Sequence, residues 1–182
     1  MAQAVEIYEG AIDKGLEGVV SCHTGISSIM DATLCFRGYT IEDLAAHSTF
    51  EEVVFLLWND RLPKENELKA LQAEIGREML LPDDQVRQLQ AMPTKGVHPM
   101  AWLRTATSML ALWDADAQST DPAAQKRVAV RLTAKMGPLV ALFERSRTGK
   151  PFVQADPTKS IAWNFFNQLN GKAPDAELVK MF

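Results

Sequence analysis

The chain has 182 residues, of which 47% are apolar and 23% are charged. This length suggests one domain, or one domain with a small extension, and it suffices for a core without disulfides or metal. The net charge of -4 argues against nucleic acid or an anionic membrane as a partner. No apolar run approaches the roughly 18 residues that a membrane helix requires. The first residues lack the layout of a signal peptide.

Cysteines and histidines give no sign of a metal site. Cys22 and Cys35 are too few for a disulfide framework and lack metal-ligand spacing. We interpret both as reduced thiols of a cytoplasmic protein, with a regulatory disulfide as the alternative. His23, His47 and His98 lie far apart, and no metal-ligating or nucleotide-binding motif accompanies them. The composition therefore predicts a soluble, globular, intracellular protein.

The N-terminal segment is the only part of the chain that reads as β structure. Residues 18–38 are rich in Val, Ile, Thr, Ser and Cys, and glycine stands at both ends. Their alternation predicts a short hairpin that turns near Met30–Ala32. No other strand is predicted. Residues 1–38 are therefore assigned to an N-terminal arm and β segment, and residues 39–182 to a helical portion.

Helical signals follow one another after Gly38. Polar residues of the capping-box type predict helix starts at Thr40 and Ser48, and Pro63 is expected at the first position of a further helix. Later helices are predicted from Pro82, from His98 to Trp113, from Pro122 to Gly149, from Ser160 to Leu169, and from Pro174 onward. Gly137-Pro138 is expected to interrupt and kink the longest of them.

The last predicted helix begins well and then the chain stops. Ala176, Val179 and Phe182 recur at helical spacing, with no Gly or Asn cap after them. A frayed natural end is one explanation, because many chains end in this way. The alternatives are that the chain has been cut, or that it pairs with another chain that continues the fold.

Short motifs, each weak alone, follow the order and spacing of one family. They are Gly15-Leu-Glu-Gly-Val19, Ile26-Ser-Ser-Ile29, Phe36-Arg-Gly-Tyr39, Phe50-Glu-Glu-Val-Val54, His98-Pro-Met100, Arg131-Leu-Thr-Ala-Lys135 and Asn164-Phe-Phe166. In this set the chain resembles the N-terminal part of citrate synthases, particularly the shorter bacterial and archaeal type. The resemblance implies a mainly α fold: a multi-helical part of the family's large domain, truncated at the C-terminus, with a short N-terminal β-hairpin.

The resemblance also implies a reaction whose catalytic residues are absent here. The family condenses acetyl-CoA, or propionyl-CoA in 2-methylcitrate synthases, with oxaloacetate. Such chemistry needs an acid, a base and cations that converge on one cleft. The family's histidine motifs, His-x-x-x-Asn-x-Ser and Gly-Pro-Leu-His-Gly, do not occur in this sequence. The resemblance therefore assigns this chain no catalytic residue, no metal and no cofactor, and the coenzyme A thioester is a substrate of the family.

Three single residues invite a functional interpretation. Lys14 aligns with a basic position that contacts the phosphates of coenzyme A in some members, and a lysine suits phosphate as a point charge. A solvated surface lysine is the alternative. His98 stands at a helix start, where a cap is favoured over a catalyst. Arg37 could bind an anion, but an arginine beside a turn more often pairs locally.

A subunit interface is predicted on two helices. Family members pair through helices packed across a twofold axis, and the matching segments here are His98–Leu112 and the long helix through Arg145. Their two-sided apolar character independently suggests an interface. The residues predicted to form it are Leu103, Ala106, Leu110, Val128, Leu132, Leu139 and Phe143.

These observations give two main hypotheses. The chain is the N-terminal portion or a small subunit of a citrate-synthase-family enzyme, a scaffold that forms a homodimer or a heteromer with a catalytic C-terminal chain. Alternatively, it is a standalone regulatory or assembly protein that binds a full-length homologue through the same helices. A third hypothesis, an unrelated helical binding domain, requires a structure without the β segment and the long helix. The sequence leaves citrate and 2-methylcitrate specificity both open.

Overall fold

Helices account for most of the fold. A computed structural model describes residues 22–30 and 32–182. Three short strands come first: β1 (Ser27–Met30), β2 (Thr33–Phe36) and β3 (Tyr39–Thr40). The helices that follow in the described residues are α1 (Ile41–His47), α2 (Phe50–Asn59), α3 (Glu65–Glu78), α4 (Asp83–Gln90), α5 (Pro99–Leu110), α6 (Pro122–Arg147), α7 (Ile161–Asn170) and α8 (Ala176–Lys180). The predicted fold class, mainly α with a short N-terminal β-hairpin, is confirmed.

The strands form one antiparallel sheet in the order β1-β2-β3. The predicted hairpin is present, with Ser27 opposite Phe36, but the expectation of no further strand is wrong. Arg37 and Gly38 both have positive φ, 49° and 87°, and they reverse the chain so that β3 pairs with β2. A strand of two residues is too short to show alternation, so its sequence carried no signal.

Side-chain caps set the starts of the first two helices. The Thr40 hydroxyl accepts a hydrogen bond from the Asp43 amide at 3.2 Å, as predicted for α1. The cap of α2 is Thr49 and not Ser48, although a glutamate lies three residues after each of them. The Glu51 carboxylate accepts from the Ile161 amide, whereas that of Glu52 accepts from the Thr49 amide at 2.7 Å. Ser48 instead ends α1, and its amide donates to the Leu44 carbonyl.

Helix α3 begins two residues later than predicted. Pro63 lies outside the helix, and Lys64 is the N-cap residue. The Glu67 carboxylate accepts from the Lys64 amide at 2.8 Å and from Arg61 at 2.6 and 2.8 Å. Because Glu67 reaches back in this way, the first helical turn forms after Lys64 and not at the proline.

The longest helix, α6, passes through the centre of the molecule. Its N-cap is Asp121, whose carboxylate accepts from the Ala124 amide at 2.9 Å. The expected interruption at Gly137-Pro138 does not occur, since the helix continues through the buried Pro138 to Arg147. Packing of α3, α5, α4 and α7 on α6 compensates for the hydrogen bond that the proline removes.

The two halves of α6 serve two hydrophobic clusters. The first cluster joins α2, α3, α6 and α7 and consists of Val54, Leu71, Ile75, Met79, Val130, Ala134, Ala155 and Ile161. The second joins α4, α5 and α6 and consists of Leu81, Leu89, Trp102, Ala106, Leu110, Leu139, Leu142 and Phe143. Helix α6 is therefore the element that connects the two parts of the core.

A buried amide holds the segment between α6 and α7 in place. Asn164 on α7 is fully buried, and its side-chain oxygen accepts from the Asp156 amide at 2.7 Å. Its amide nitrogen donates to the carbonyls of Asp156 and Lys159. These bonds satisfy loop backbone groups that would otherwise be buried without partners. None of the helices in the described ranges is long and apolar enough to cross a membrane.

Candidate functional site

The residues predicted as a subunit interface lie largely inside this chain. Ala106, Leu110, Leu139 and Phe143 belong to the second core cluster. Leu103 and Leu132 are half-buried against the same cluster, and Val128 is half-buried on α6; these complete the predicted set. Burial within this chain accounts for much of the two-sided apolar pattern. Helix α5 has two apolar faces because α4 and α6 both contribute to the cluster around it. Pairing with a partner chain stays a prediction.

The three histidines have different local roles. His98 is the N-cap of α5, and its Nδ1 accepts from the Met100 amide at 3.2 Å. The prediction that His98 caps a helix is confirmed. His47 is exposed, and its Nδ1 lies 3.1 Å from the Asp43 carbonyl. His23 is exposed. The structure does not bring these histidines together on one cleft.

Arg37 joins the sheet to the end of α2. Its guanidinium donates to the Gly25 carbonyl at 3.0 Å and to the Leu57 carbonyl at 3.1 Å. It also forms an ion pair with Asp60 at 2.8 Å, and Asp60 is the C-cap residue of α2. Local pairing, the second of the two interpretations of Arg37, is therefore the one that the structure supports.

A charge cluster, made of Asp114, Asp116, Arg127 and Arg131, is the most strongly polar feature that the sequence did not reveal. Arg131 binds Asp114 with two hydrogen bonds of 2.7 and 2.8 Å and donates a third to Asp116 at 2.6 Å. Arg127 binds Asp116 through two bonds of 2.8 and 3.0 Å. Hydrogen bonds from Arg127, and then from Arg131, hold the pKa of the Asp116 carboxyl far below its ordinary value.

The segment from Asp114 to Asp121 lies between two predicted helices, and sequence reasoning assigned no function to it and so missed this cluster. The available signal was the pair of arginines four residues apart, which lie on one face of α6. Two aspartates two residues apart precede them in the turn that leads into α6. The carboxylates and guanidinium groups meet only because the chain reverses between α5 and α6. The charge cluster fixes that reversal, and its charges are paired with each other.

Lys135 is a partly buried cation next to the charge cluster. Its ammonium donates to the Glu78 carbonyl at 2.7 Å and to the Leu80 carbonyl at 3.1 Å, so it caps the C-terminal end of α3. Burial lowers the pKa of Lys135. With Arg131 and Trp113 it lines a groove of about 210 Å³. Lys135 donates to backbone carbonyls and Arg131 donates to carboxylates. These hydrogen bonds therefore connect α6 to the segments around it.

No metal centre is formed by the part of the chain that the structure describes. Within residues 22–30 and 32–182, no group of three His, Cys, Asp or Glu side chains is placed to hold a metal ion. Cys22 is exposed and Cys35 is buried, and both are free thiols. Lys14, the predicted contact for the phosphates of coenzyme A, lies outside the described residues, so that role stays a prediction.

Comparison with known proteins identifies the family. A family model described as "Citrate synthase, C-terminal domain" matches residues 15–182. The chain belongs to the citrate synthase family. Citrate synthase 2 of Bacillus subtilis is 42% identical over 169 residues, which cover 93% of this chain and 45% of that protein. A 2-methylcitrate synthase of Mycobacterium tuberculosis is 38% identical over 94% of this chain and 43% of its own length.

Solved structures of citrate synthases share this fold. Citrate synthase from Pyrobaculum aerophilum matches with a TM-score of 0.85 and 30% sequence identity, over 97% of this chain and 46% of that chain. Citrate synthase from Thermotoga maritima matches with a TM-score of 0.78 and 25% identity. The chain therefore spans slightly less than half the length of the citrate synthases that it matches.

Proposed function

We propose that this chain is the N-terminal scaffold and interface portion of an enzyme that condenses an acyl-CoA with oxaloacetate. The observation that carries the proposal is the 42% identity to Citrate synthase 2, which extends over 93% of this chain but only 45% of that protein. The catalytic acid, base and carboxylate-binding arginines would come from polypeptide outside this sequence. Acetyl-CoA and propionyl-CoA are both candidate substrates, since relatives of both types match.

The charged groups of the described region support a scaffold role. Arg37 binds backbone carbonyls and Asp60, and His98 caps α5. Arg131 is paired with Asp114 and Asp116. Proton transfer needs a group that can reach the substrate and titrate near the working pH. Because these groups hold helix ends and turns, their positions suit them to order the fold.

The proposal includes a cytoplasmic location and an assembly. The assembly would be a homodimer, or a heteromer with a catalytic C-terminal citrate synthase chain. Lys14 is proposed to contact the phosphates of the coenzyme A substrate. No metal or bound cofactor is required by the proposed reaction, because a carboxylate base and hydrogen-bond donors suffice to form and stabilise an enol.

The test compares the condensation rate of this chain alone with its rate in the presence of a segment from a relative. Thiol release from acetyl-CoA in the presence of oxaloacetate is measured for the purified 182-residue chain, with intact Citrate synthase 2 of Bacillus subtilis as the positive control. We expect no turnover above the protein-free rate for the chain alone. Co-expression of this chain with the segment of Citrate synthase 2 that lies outside the matched 45% should produce turnover. Turnover by the chain alone would contradict the scaffold role.

A further inference from the structure

The end of α7 carries an asparagine that is followed by glycine. Asn170 is the last residue of α7, and Gly171 is the C-cap residue. No other asparagine in the sequence precedes a glycine. In such a pair the backbone nitrogen of the glycine can attack the side-chain amide carbon of the asparagine, because glycine has no Cβ to obstruct the approach. The sequence therefore places its most reactive asparagine at a helix end.

The reaction open to this pair needs water and no other reactant. The Gly171 nitrogen forms a bond to Cγ of Asn170, and the bond from Cγ to the side-chain amide nitrogen breaks. Ammonia leaves with the hydrogen that the Gly171 nitrogen loses, and a succinimide ring remains. Water then opens this ring at either of its carbonyl groups, which gives aspartate or isoaspartate. Nothing is oxidised or reduced in these steps.

The folded conformation of the pair opposes this attack. The amide of Gly171 donates to the Asn167 carbonyl at 2.7 Å, and Gly171 has a φ of 74°. Asn170 belongs to the helix, so its side chain is directed back along α7 and away from the nitrogen of the next residue. The attack therefore requires the last turn of α7 to open.

Arg145 on α6 ties this turn to the rest of the fold. It is only 6% exposed, and its guanidinium donates to the carbonyls of Leu169 and Pro151. A Cβ on Gly171 would lie 2.8 Å from Nη1 of Arg145, so the guanidinium lies directly against this glycine. In the described part of the chain, Arg145 forms no ion pair with a carboxylate. A buried cation of this kind depends on its hydrogen bonds, which here hold the end of α7.

We propose that Asn170 is a site of spontaneous deamidation, and that Arg145 controls the rate by holding the last turn of α7 closed. The reactive state is a local opening of this helix end, which requires less free energy than unfolding of the whole chain. Isoaspartate at position 170 adds a methylene group to the backbone, so Gly171 can no longer donate to Asn167 as it does in the helix cap. Modification therefore loosens the contact between α7 and α6, and it does so independently of the proposed function.

The experiment measures deamidation of each asparagine by peptide mass spectrometry. The purified chain is incubated near neutral pH, once in buffer and once in concentrated urea. Asn170→Gln removes the site, because a glutamine would have to close a larger ring and reacts far more slowly. Arg145→Met releases the end of α7. Arg147→Met is the matched control, because Arg147 is an exposed arginine of the same helix that pairs with Glu144. Circular dichroism compares the helix content of the variants with that of wild type.

We expect Asn170 to deamidate before every other asparagine, and at least about tenfold more slowly in buffer than in urea, where the turn is open. Arg145→Met should raise the rate in buffer, whereas Arg147→Met should leave it at the wild-type value. If another asparagine reacts first, the site is wrong. Equal rates in buffer and urea would overturn protection by the fold. A wild-type rate in Arg145→Met would overturn the role of Arg145, and Arg145→Lys replaces that variant if its helix content falls.

Discussion

The two apolar surfaces of this molecule differ in what covers them. The face that α5 and α6 share is closed within the chain, where Ala106 and Leu139 are fully buried. A second apolar surface, which we name the aromatic groove, lies between α1, α2 and α8 and includes Phe50 and Phe182, both almost half exposed. Apolar spacing along a helix shows that a face needs a partner, but it does not show whether that partner is in the same chain.

The separation along the sequence explains the difference. Helices α5 and α6 are consecutive elements joined by residues 111–121, so they meet through a local reversal of the chain. The aromatic groove combines residues near Phe50 with residues near Phe182. The start of α2 is also joined to α7: the buried carboxylate of Glu51 accepts from the Ile161 amide at 2.8 Å, across 110 positions of sequence. A surface assembled from such distant segments leaves no periodic pattern.

The largest expected effect tests whether the α5–α6 face is core. Leu139→Ala removes a fully buried side chain from the second cluster, and we expect a loss of about 2–5 kcal/mol in the free energy of unfolding. Leu80→Ala, at an exposed position, should cost less than about 0.5 kcal/mol. Urea denaturation of the isolated chain measures both. A Leu139→Ala protein as stable as wild type would contradict the assignment of Leu139 to the core.

Two glycine-to-alanine variants test how closely α3 and α6 pack against their neighbours. A Cβ on Gly76 would overlap the carbonyl oxygen of Pro157, which is backbone and cannot move aside as a side chain can. Gly76→Ala should therefore destabilise the chain by about 1–3 kcal/mol. In Gly137→Ala the new Cβ would lie 3.7 Å from Phe165, an ordinary contact. That variant should be neutral or more stable by up to about 1 kcal/mol. Thermal denaturation distinguishes the two, and equal melting temperatures would contradict the expectation.

The contact between α2 and α7 is tested by Glu51. Glu51→Ala leaves the Ile161 amide buried without its acceptor, and we expect a loss of about 1–3 kcal/mol. Glu51→Gln keeps an acceptor oxygen and should recover most of that loss. Chemical denaturation of the two variants provides the measurement. If Glu51→Gln is as unstable as Glu51→Ala, the hydrogen bond to α7 is not what this side chain contributes.

The smallest expected effect is on the pH dependence of stability, and it concerns Glu67, which lies outside both apolar surfaces. Hydrogen bonds from Arg61, and then from the Lys64 amide, lower the pKa of Glu67 from 4.5 to about 2. A lowered folded-state pKa gives stabilisation that is present above pH 4.5 and is lost as the pH falls toward about 2. The melting temperature of Glu67→Gln should therefore fall less steeply than that of wild type across this window. Because the pair is exposed, both proteins should differ little at neutral pH. Parallel curves would contradict the pKa shift.

Much of the fold was predictable because its signals are local. Caps at Thr40, Asp121-Pro122 and Ser160 fix helix starts within a few residues of sequence. The errors arose where a contact from further along the chain decided the outcome. The Ile161 amide engages Glu51, so the cap of α2 forms at Thr49 with Glu52. Packing around α6 kept the helix continuous at Pro138.

The sequence by itself determined the helical class, the N-terminal hairpin and the resemblance to citrate synthases, because caps, alternation and short motifs are written within single segments. Only the tertiary structure decided which apolar faces are covered and which charges are paired. The charge cluster around Arg131 and the aromatic groove around Phe182 each need side chains from separated segments. Burial is a property of the neighbours that the fold supplies, so a residue's own spacing cannot reveal it.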